Sequence, residues 1–211
     1  MKDELASSLG LTTRTVKHGV YAGKPAKIVI ASAEYDTDIE DLWDAITDPR
    51  RICRWLGRVT GELALGGRYQ IQGNASGVIE ECEEPTHLGL TWDYGEQATW
   101  VKVDLIARPS GRTSLRLEHV LPDDDKWSAF GPGAVGVGWE LALLGLIEHL
   151  RAPQSTKLAD GIDRVTSPGG RAFVERSSNG WREADIASGT AASIAQKRSD
   201  DTFAFYTRDC R

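Results

Sequence analysis

The residues GPGAVGVGWELALLGLIEHLR, at 131–151, form the longest apolar stretch of the chain and constrain its fold most strongly. Pro132 and the glycines beside it mark the start of a helix, and the eighteen residues from Ala134 to Arg151 would extend about 27 Å. At 3.6 residues per turn, large apolar side chains cover more than one face of this helix. A helix of this kind is covered on two sides, so we expect a sheet beneath it and another element above it.

Glu140 lies inside the apolar arc of this helix. Burial would raise the pKa of such a carboxyl, as in a general acid or a site for the polar head of a ligand. In the second case Glu140→Gln would weaken binding and leave the unliganded protein nearly as stable. The structural alternative is a salt bridge to an arginine such as Arg54 or Arg68.

From Val59 to His119 the apolar spacing changes to a period of two, with glycine, proline and asparagine at the breaks. A strand is predicted at 26–35, followed by two short helices that begin at Asp38 and Pro49. A meander of six strands follows, and its members are 58–63, 67–72, 77–83, 87–93, 98–107 and 112–120. One face of these strands is apolar, with Val101, Val103, Leu105, Leu115, Leu117 and His119 in the inward register. The predicted fold class is α+β, an antiparallel sheet of about seven strands covered by the long helix.

The remaining segments predict additions to this core. The polar N-terminal residues suggest a short helix or a tail. The loop 121–133 contains three aspartates but lacks the glycine and glutamate of an EF-hand, so a solvated turn is favoured over a calcium site. After Pro153, two helices are predicted at 169–187 and 189–206, and they should cover the long helix. The predicted organisation is an N-terminal segment at 1–26, a domain at 27–151 and a C-terminal helical extension at 152–211.

The composition of the chain excludes some classes of function. A net charge of −6 without a basic block argues against nucleic acid and against an anionic membrane surface. The N-terminus lacks the apolar segment of a signal peptide, and no run of eighteen apolar residues occurs. Cys53, Cys82 and Cys210 are odd in number and widely spaced, which is typical of unpaired thiols in a reducing compartment. We therefore expect a cytoplasmic protein with no membrane partner.

Four motifs carry a family resemblance: YDTDIEDLWDAITDPRRICRWLG at 35–57, GGRYQIQGNASGVIEECEEP at 66–85, LTWDYG at 90–95 and GWELALLGL at 138–146. Together they resemble the SRPBCC superfamily, whose members are also called Bet v 1-like or START-like. Within it they are most similar to the AHSA1-like branch, named for the activator of the Hsp90 ATPase homologue, and to an uncharacterised bacterial subgroup of it. The resemblance implies a helix-grip fold, in which a curved antiparallel sheet wraps a long helix around a pocket. In many relatives that pocket holds an apolar or amphipathic small molecule.

The chain has no phosphate loop, nucleophile elbow or metal-ligand spacing, so we predict no metal and no cofactor, and a binding protein rather than an enzyme. The predicted partner is a small apolar or amphipathic ligand. A polyketide cyclase-like enzyme, with Glu140 and His119 as acid and base, and an Hsp90 regulator are the alternatives. His119 and Trp92 also have a packing interpretation, as core residues. A homodimer is the alternative to intrachain packing of the C-terminal helices. The candidate ligand-binding residues are Tyr69, Trp92, His119, Trp127 and Glu140.

Overall fold

The structure is a computed structural model, and it describes residues 12–21, 23–95, 97–154 and 165–208. The described strands are β1 (Thr13–Tyr21), β2 (Lys24–Tyr35), β3 (Val59–Gly61), β4 (Arg68–Ile71), β5 (Ser76–Glu83), β6 (His87–Tyr94), β7 (Gln97–Arg108) and β8 (Arg112–Pro122). The described helices are α1 (Ile39–Thr47), α2 (Pro49–Ile52), α3 (Asp125–Phe130), α4 (Gly133–Arg151), α5 (Pro168–Ala187) and α6 (Ala192–Tyr206). These elements confirm the predicted α+β class, with one sheet, a long helix and C-terminal helices.

The strands follow the order β1-β2-β8-β7-β6-β5-β4-β3 in a single sheet. Each neighbouring pair from β3 to β8 is antiparallel, as the meander predicts. The register places Val101, Val103 and Leu105 of β7 opposite His119, Leu117 and Leu115 of β8, and all of these residues are buried. The predicted apolar face of the sheet is therefore confirmed.

Two compact units divide the chain. The terminal unit combines the described residues up to Ala31, the stretch Leu121–Leu144 and the described residues from 165 onwards. The central unit combines Ser32–Val120 with the described residues from Gly145 onwards, up to 154. Strand β2 and helix α4 each contribute residues to both units. The predicted boundaries near residues 27 and 152 stay a prediction.

In the central unit, two aspartates set the ends of the short helices. The Asp38 carboxylate accepts the Asp41 N–H at 2.8 Å and begins α1. Asp48 ends α1, and its carboxylate accepts the Arg50 N–H at 2.8 Å as the cap of α2. Pro49 follows at the first position of α2, where its missing N–H has no helical partner to lose. The segment therefore folds as the sequence predicts, with Leu42 and Trp43 buried.

In the terminal unit, α5 packs on α4 in the opposite direction. Gly136 faces Trp181, because a Cβ at Gly136 would overlap the indole ring. Further along α4, Leu144 packs on Phe173. The later residue of α4 thus contacts the earlier residue of α5, so the two helices are antiparallel. Glycine at position 136 allows their close approach. The C-terminal helices thus cover α4 within the same chain, as predicted.

Of the described helices, α4 alone is long and apolar enough to cross a membrane, and 61 % of that stretch is buried within the structure. A core helix of a soluble protein has the same length and composition, so these properties are weak evidence for a membrane span. Val137, Leu143 and Leu146 of this helix are buried. The helix therefore has the extensive cover that its apolar arc predicts.

Two sequence predictions are wrong. Residues 13–21 form strand β1, although the N-terminal segment was expected to be a short helix or a tail. Its β-branched residues favour a strand, and Gly23, with φ of 76°, allows the turn into β2. The loop 121–133 contains helix α3, because the Asp124 carboxylate accepts the Trp127 N–H at 2.9 Å and caps it.

Candidate functional site

His119 lies on β8 with its imidazole buried against β7 and β6. Its Nε2 is 2.7 Å from the hydroxyl oxygen of Thr99, and that hydroxyl donates to the Trp92 carbonyl oxygen, also at 2.7 Å. Because the hydroxyl hydrogen is used on Trp92, His119 must donate through a protonated Nε2. Burial lowers the pKa of His119 to about 3. The imidazole is therefore neutral at physiological pH.

Tyr69 lies on β4, and its hydroxyl donates to the Thr91 carbonyl oxygen of β6 at 2.6 Å. The bond reaches over Gly77 of β5, where a Cβ would overlap that same carbonyl. Thr91 also accepts the Val78 N–H through its side chain, at 2.9 Å. Burial, followed by the nearby charge of Asp93, raises the pKa of Tyr69. The phenol is therefore protonated and engaged with the backbone.

The inner face of the sheet carries an apolar cluster, which we call the inner-face cluster. Its buried floor consists of Tyr69, Ile71 and Ile79. Five partly buried apolar side chains pack against this floor: Leu56, Val59, Leu88, Leu90 and Trp92. The Trp92 ring also meets the His119 ring edge-on, with centroids 6.4 Å apart. Three of the candidate residues, Tyr69, Trp92 and His119, thus share one surface.

Glu140 is almost fully buried in the terminal unit, where it is paired with Arg14 of β1. The guanidinium binds both carboxylate oxygens, with Nε at 2.5 Å and Nη2 at 3.0 Å. Gly180 makes room for it, since a Cβ there would lie 2.7 Å from the Arg14 Cζ. The structural alternative for Glu140, a salt bridge, is therefore what the fold contains, but with Arg14 instead of Arg54 or Arg68.

The surroundings of this ion pair are polar but incompletely bonded. Burial raises the pKa of Glu140, while Arg14 and, more weakly, the nearby Ser177 hydroxyl and Trp181 indole act to lower it. Neither the hydroxyl of Ser177 nor the Nε1–H of Trp181 has hydrogen-bond geometry to any described partner. Both side chains belong to α5, so the pair sits where β1, α4 and α5 meet.

Trp127 is buried in the terminal unit between two cations. The Lys27 Nζ lies 5.8 Å from the ring centroid, and the Arg198 Cζ lies 5.9 Å from it. Lys27 pairs with Asp123 at 3.1 Å, and Arg198 pairs with the buried Asp185 at 3.0 Å. These contacts give Trp127 a packing role in α3.

The five candidate residues therefore divide between the two units: Tyr69, Trp92 and His119 in the central unit, Trp127 and Glu140 in the terminal unit. Sequence reasoning missed Arg14 and Thr99. The number of β-branched residues in TRTVKHGVY was the available signal for a strand that carries Arg14. No local signal identifies Thr99 as the partner of His119, because it depends on the register between β7 and β8.

Comparison with known proteins identifies a family and several solved structures that are similar to this chain. Residues 36–151 match the family model described as activator of Hsp90 ATPase homolog 1-like protein. The crystal structure of CalU16 from Micromonospora echinospora is 31% identical in sequence with a TM-score of 0.68, and the match covers 82% of this chain and 97% of that one. No functionally curated protein matches the sequence.

Two further solved structures share the fold over a shorter stretch. MLL2253 from Mesorhizobium loti is 25% identical with a TM-score of 0.54, and the match covers 61% of this chain and 99% of that one. PFC0360w, an HSP90 activator from Plasmodium falciparum, is 23% identical with a TM-score of 0.51, and the match covers 59% of this chain and 95% of that one. At this last identity the likeness shows the fold alone.

Proposed function

Because the chain belongs to the family of activator of Hsp90 ATPase homolog 1-like proteins, we propose that it binds a small apolar or amphipathic molecule on the inner-face cluster. The supporting observation is that five apolar side chains of this cluster keep part of their surface accessible above a buried floor. Because folding leaves part of their apolar surface exposed to water, a ligand that covers this surface would be stabilised by the hydrophobic effect.

The polar groups of the cluster are already engaged. The Tyr69 hydroxyl donates to a backbone carbonyl, and the His119 Nε2–H donates to Thr99. The accessible part is therefore mainly hydrocarbon and aromatic ring, which suits an apolar ligand body. At about 25 cal/mol per Å², covering roughly 200 Å² of apolar surface contributes about 5 kcal/mol before the entropic costs of binding.

The cyclase alternative would need Glu140 and His119 as an acid–base pair. The Glu140 carboxylate is held by both guanidinium contacts of Arg14. A histidine whose pKa is about 3 is a weak base at neutral pH. The chemistry of these two residues therefore favours binding over catalysis.

The other expected properties follow from separate observations. Cys53 and Cys82 are free thiols, in keeping with a cytoplasmic location, and Cys210 lies outside the described residues. Helices α5 and α6 cover α4 within one chain, so the proposal needs no homodimer. Regulation of Hsp90 draws no specific support from this chain, because the likeness to the Plasmodium falciparum activator shows the fold alone.

Titration with phenylnaphthylamine, a neutral apolar probe whose fluorescence rises on binding, tests the proposal. Trp92→Ala should weaken probe binding about tenfold, equivalent to about 1.4 kcal/mol, because the ring forms part of the accessible surface. Trp100→Ala is the matched control, since Trp100 precedes the buried Val101 on β7 and so lies on the opposite face.

Absence of probe binding to the unmodified protein would refute the proposal. An equal loss of affinity in both tryptophan variants would also refute it, because the effect would then not belong to the inner face.

A further inference from the structure

Charged side chains connect three neighbouring strands on the outer face of the sheet. His87 of β6 lies between two carboxylates, with its Nδ1 2.6 Å from the Asp104 Oδ1 of β7 and its Nε2 2.7 Å from the Glu81 Oε2 of β5. The Lys102 Nζ of β7 donates to both carboxylate oxygens of Glu81, at 3.0 and 3.1 Å. We call these four residues the outer-face network.

Glycine at position 89 allows the contact between β5 and β7. In the register, Gly89 of β6 lies between Glu81 of β5 and Lys102 of β7. A Cβ at Gly89 would lie 2.9 Å from both the Cβ and the Oε2 of Glu81, so the glutamate side chain occupies the space above the glycine. The Glu81 carboxylate therefore reaches across β6 and pairs with a strand that is not hydrogen-bonded to its own.

The two hydrogen bonds of His87 require a charged ring. An ionised carboxylate accepts hydrogen bonds and donates none, so both ring nitrogens must carry a hydrogen. The bonds to His87 and then to Lys102 lower the pKa of Glu81, which keeps this carboxylate ionised. The bond to Asp104 raises the pKa of His87, partial burial opposes it, and the bond to Glu81 raises it further. When His87 loses its proton, one ring nitrogen can no longer donate and one of the two bonds breaks.

The other charges near His87 also favour its charged form. On β5, Glu83 stands directly opposite His87 in the register. Beyond β7, Arg116 of β8 stands opposite Asp104, but its guanidinium is paired with Glu118. Three carboxylates and the lysine of the network thus flank His87 from β5 and β7, and this balance stabilises the imidazolium.

The outer-face network lies directly behind the inner-face cluster. Leu88 follows His87 on β6, so it projects from the opposite face, where it packs in the cluster. The register of β5 against β6 shifts between Ile79, which belongs to the buried floor of the cluster, and Glu81, which belongs to the network. A bulge of this kind bends a strand. The network therefore holds β5 at the point where the strand bends beneath the cluster.

We propose that the outer-face network controls the inner-face cluster in a pH-dependent way, and that loss of the His87 proton weakens ligand binding there. This inference rests on the proposed function and adds its regulation. With His87 charged, β5 and β7 are held together behind a preformed cluster. Once one bond breaks, a ligand must order these strands as it binds, which lowers its affinity. Because the pKa of His87 is raised, both bonds are present below its ordinary value and are lost as the pH rises through the raised value.

Titration with the neutral probe phenylnaphthylamine from about pH 6 to about pH 9, which spans the titration of a histidine with a raised pKa, tests this proposal. The dissociation constant of the unmodified protein should rise roughly two- to threefold, a change in keeping with the small stabilisation from exposed ion pairs. His87→Gln should abolish this rise. His18→Gln is the control and should keep it, because His18 is exposed on β1, where its Nδ1 lies 2.9 Å from the Lys27 Nζ.

An NMR titration of the His87 ring measures the network without a ligand. Glu81→Gln keeps the size of the side chain and removes its charge, so it should weaken proton binding by His87 roughly threefold. Glu175→Gln is the matched control, since Glu175 is exposed on α5 and takes no part in the network. This variant should leave proton binding by His87 unchanged.

The outcomes distinguish failure of the inference from failure of the proposed function. If the affinity for the probe does not fall as the pH rises, or falls equally in His87→Gln, the regulation is refuted. A measured pKa of His87 no higher than the value of about 6.5 for an unfolded chain refutes the network itself. If the probe binds at no pH, the proposed function fails and its regulation fails with it, while the NMR titration still decides whether the network forms.

Discussion

Glu140→Ala should destabilise the protein by about 3 kcal/mol, because the Arg14 guanidinium would stay in the interior without its counter-charge. Breaking a buried ion pair by removing one partner costs roughly 3–5 kcal/mol. The side chain of Glu140 is 1% exposed, but that of Arg14 is 15% exposed. Some water can therefore reach the guanidinium, which places the expected cost at the lower end of the range.

For Glu140→Gln, the structure leads to a different prediction from the one drawn from the sequence. A glutamate poised for a ligand would tolerate this change with little loss of stability. In the structure the carboxylate accepts two bonds from Arg14, and a glutamine keeps only one acceptor oxygen. The expected loss is about 1.5–2 kcal/mol, since one charged hydrogen bond and the charge attraction are removed.

The double variant Arg14→Met/Glu140→Leu isolates the interaction itself. Replacing both charges by apolar groups leaves no unpaired ion, so the double variant should be more stable than Glu140→Ala. Urea denaturation of Arg14→Met, Glu140→Leu and the double variant, followed by circular dichroism, gives a coupling energy that we expect to be about 2–3 kcal/mol.

The exposed pair Lys197–Asp201 on α6 is the control, with side chains 76% and 39% exposed. Its coupling energy should lie below about 0.5 kcal/mol. If the Arg14–Glu140 coupling is as small as that of the control pair, burial does not strengthen the pair and the reasoning is refuted.

Two further predictions concern a glycine and a histidine. Gly136→Ala should lower the free energy of unfolding by roughly 1–3 kcal/mol, because its methyl group would overlap the Trp181 ring. Gly138→Ala is the control, since its methyl group would meet the Tyr206 hydroxyl at 3.0 Å. A higher melting temperature for Gly136→Ala than for the unmodified protein would contradict this packing. The pKa of His119 is about 3 in the folded protein and about 6.5 in the unfolded chain. Between these two pH values the unfolded state binds more protons than the folded state. The free energy of unfolding should therefore fall as the pH falls from about 6.5 to about 3, by up to about 4–5 kcal/mol. Urea denaturation between neutral and acid pH should show that His119→Gln reduces this dependence, and an unchanged dependence would disprove the assignment.

Features with a local signal could be predicted from the sequence. Alternation places Val101, Val103 and Leu105 on one face whatever the rest of the chain does, and the structure buries all of them. The long helix begins at Gly133, one residue before the predicted start, because the apolar stretch and Pro132 mark its beginning. Both signals depend on neighbours a few residues away, so no tertiary information was needed.

Features set by distant partners could not be predicted. Arg14 and Glu140 are 126 residues apart in the chain. Arg54 and Arg68 were the partners considered from the sequence, and strand β1, which carries Arg14, was not predicted. The contacts of Trp127 with Lys27 and Arg198 likewise join three separate elements. Pairing of this kind follows from the packed structure, and no periodicity in the sequence encodes it.

His119 illustrates how much of the candidate site could be predicted from the sequence. Its inward face follows from alternation with Leu115 and Leu117, and the structure confirms that face. Its chemistry follows from Thr99, which lies two residues from its direct cross-strand partner, Val101. The hydroxyl bond to the Trp92 carbonyl decides the tautomer, and burial decides the charge. The protonation state of His119 therefore depends on neighbours that are distant in the sequence, and its inward face alone does not determine whether it can act as an acid or a base.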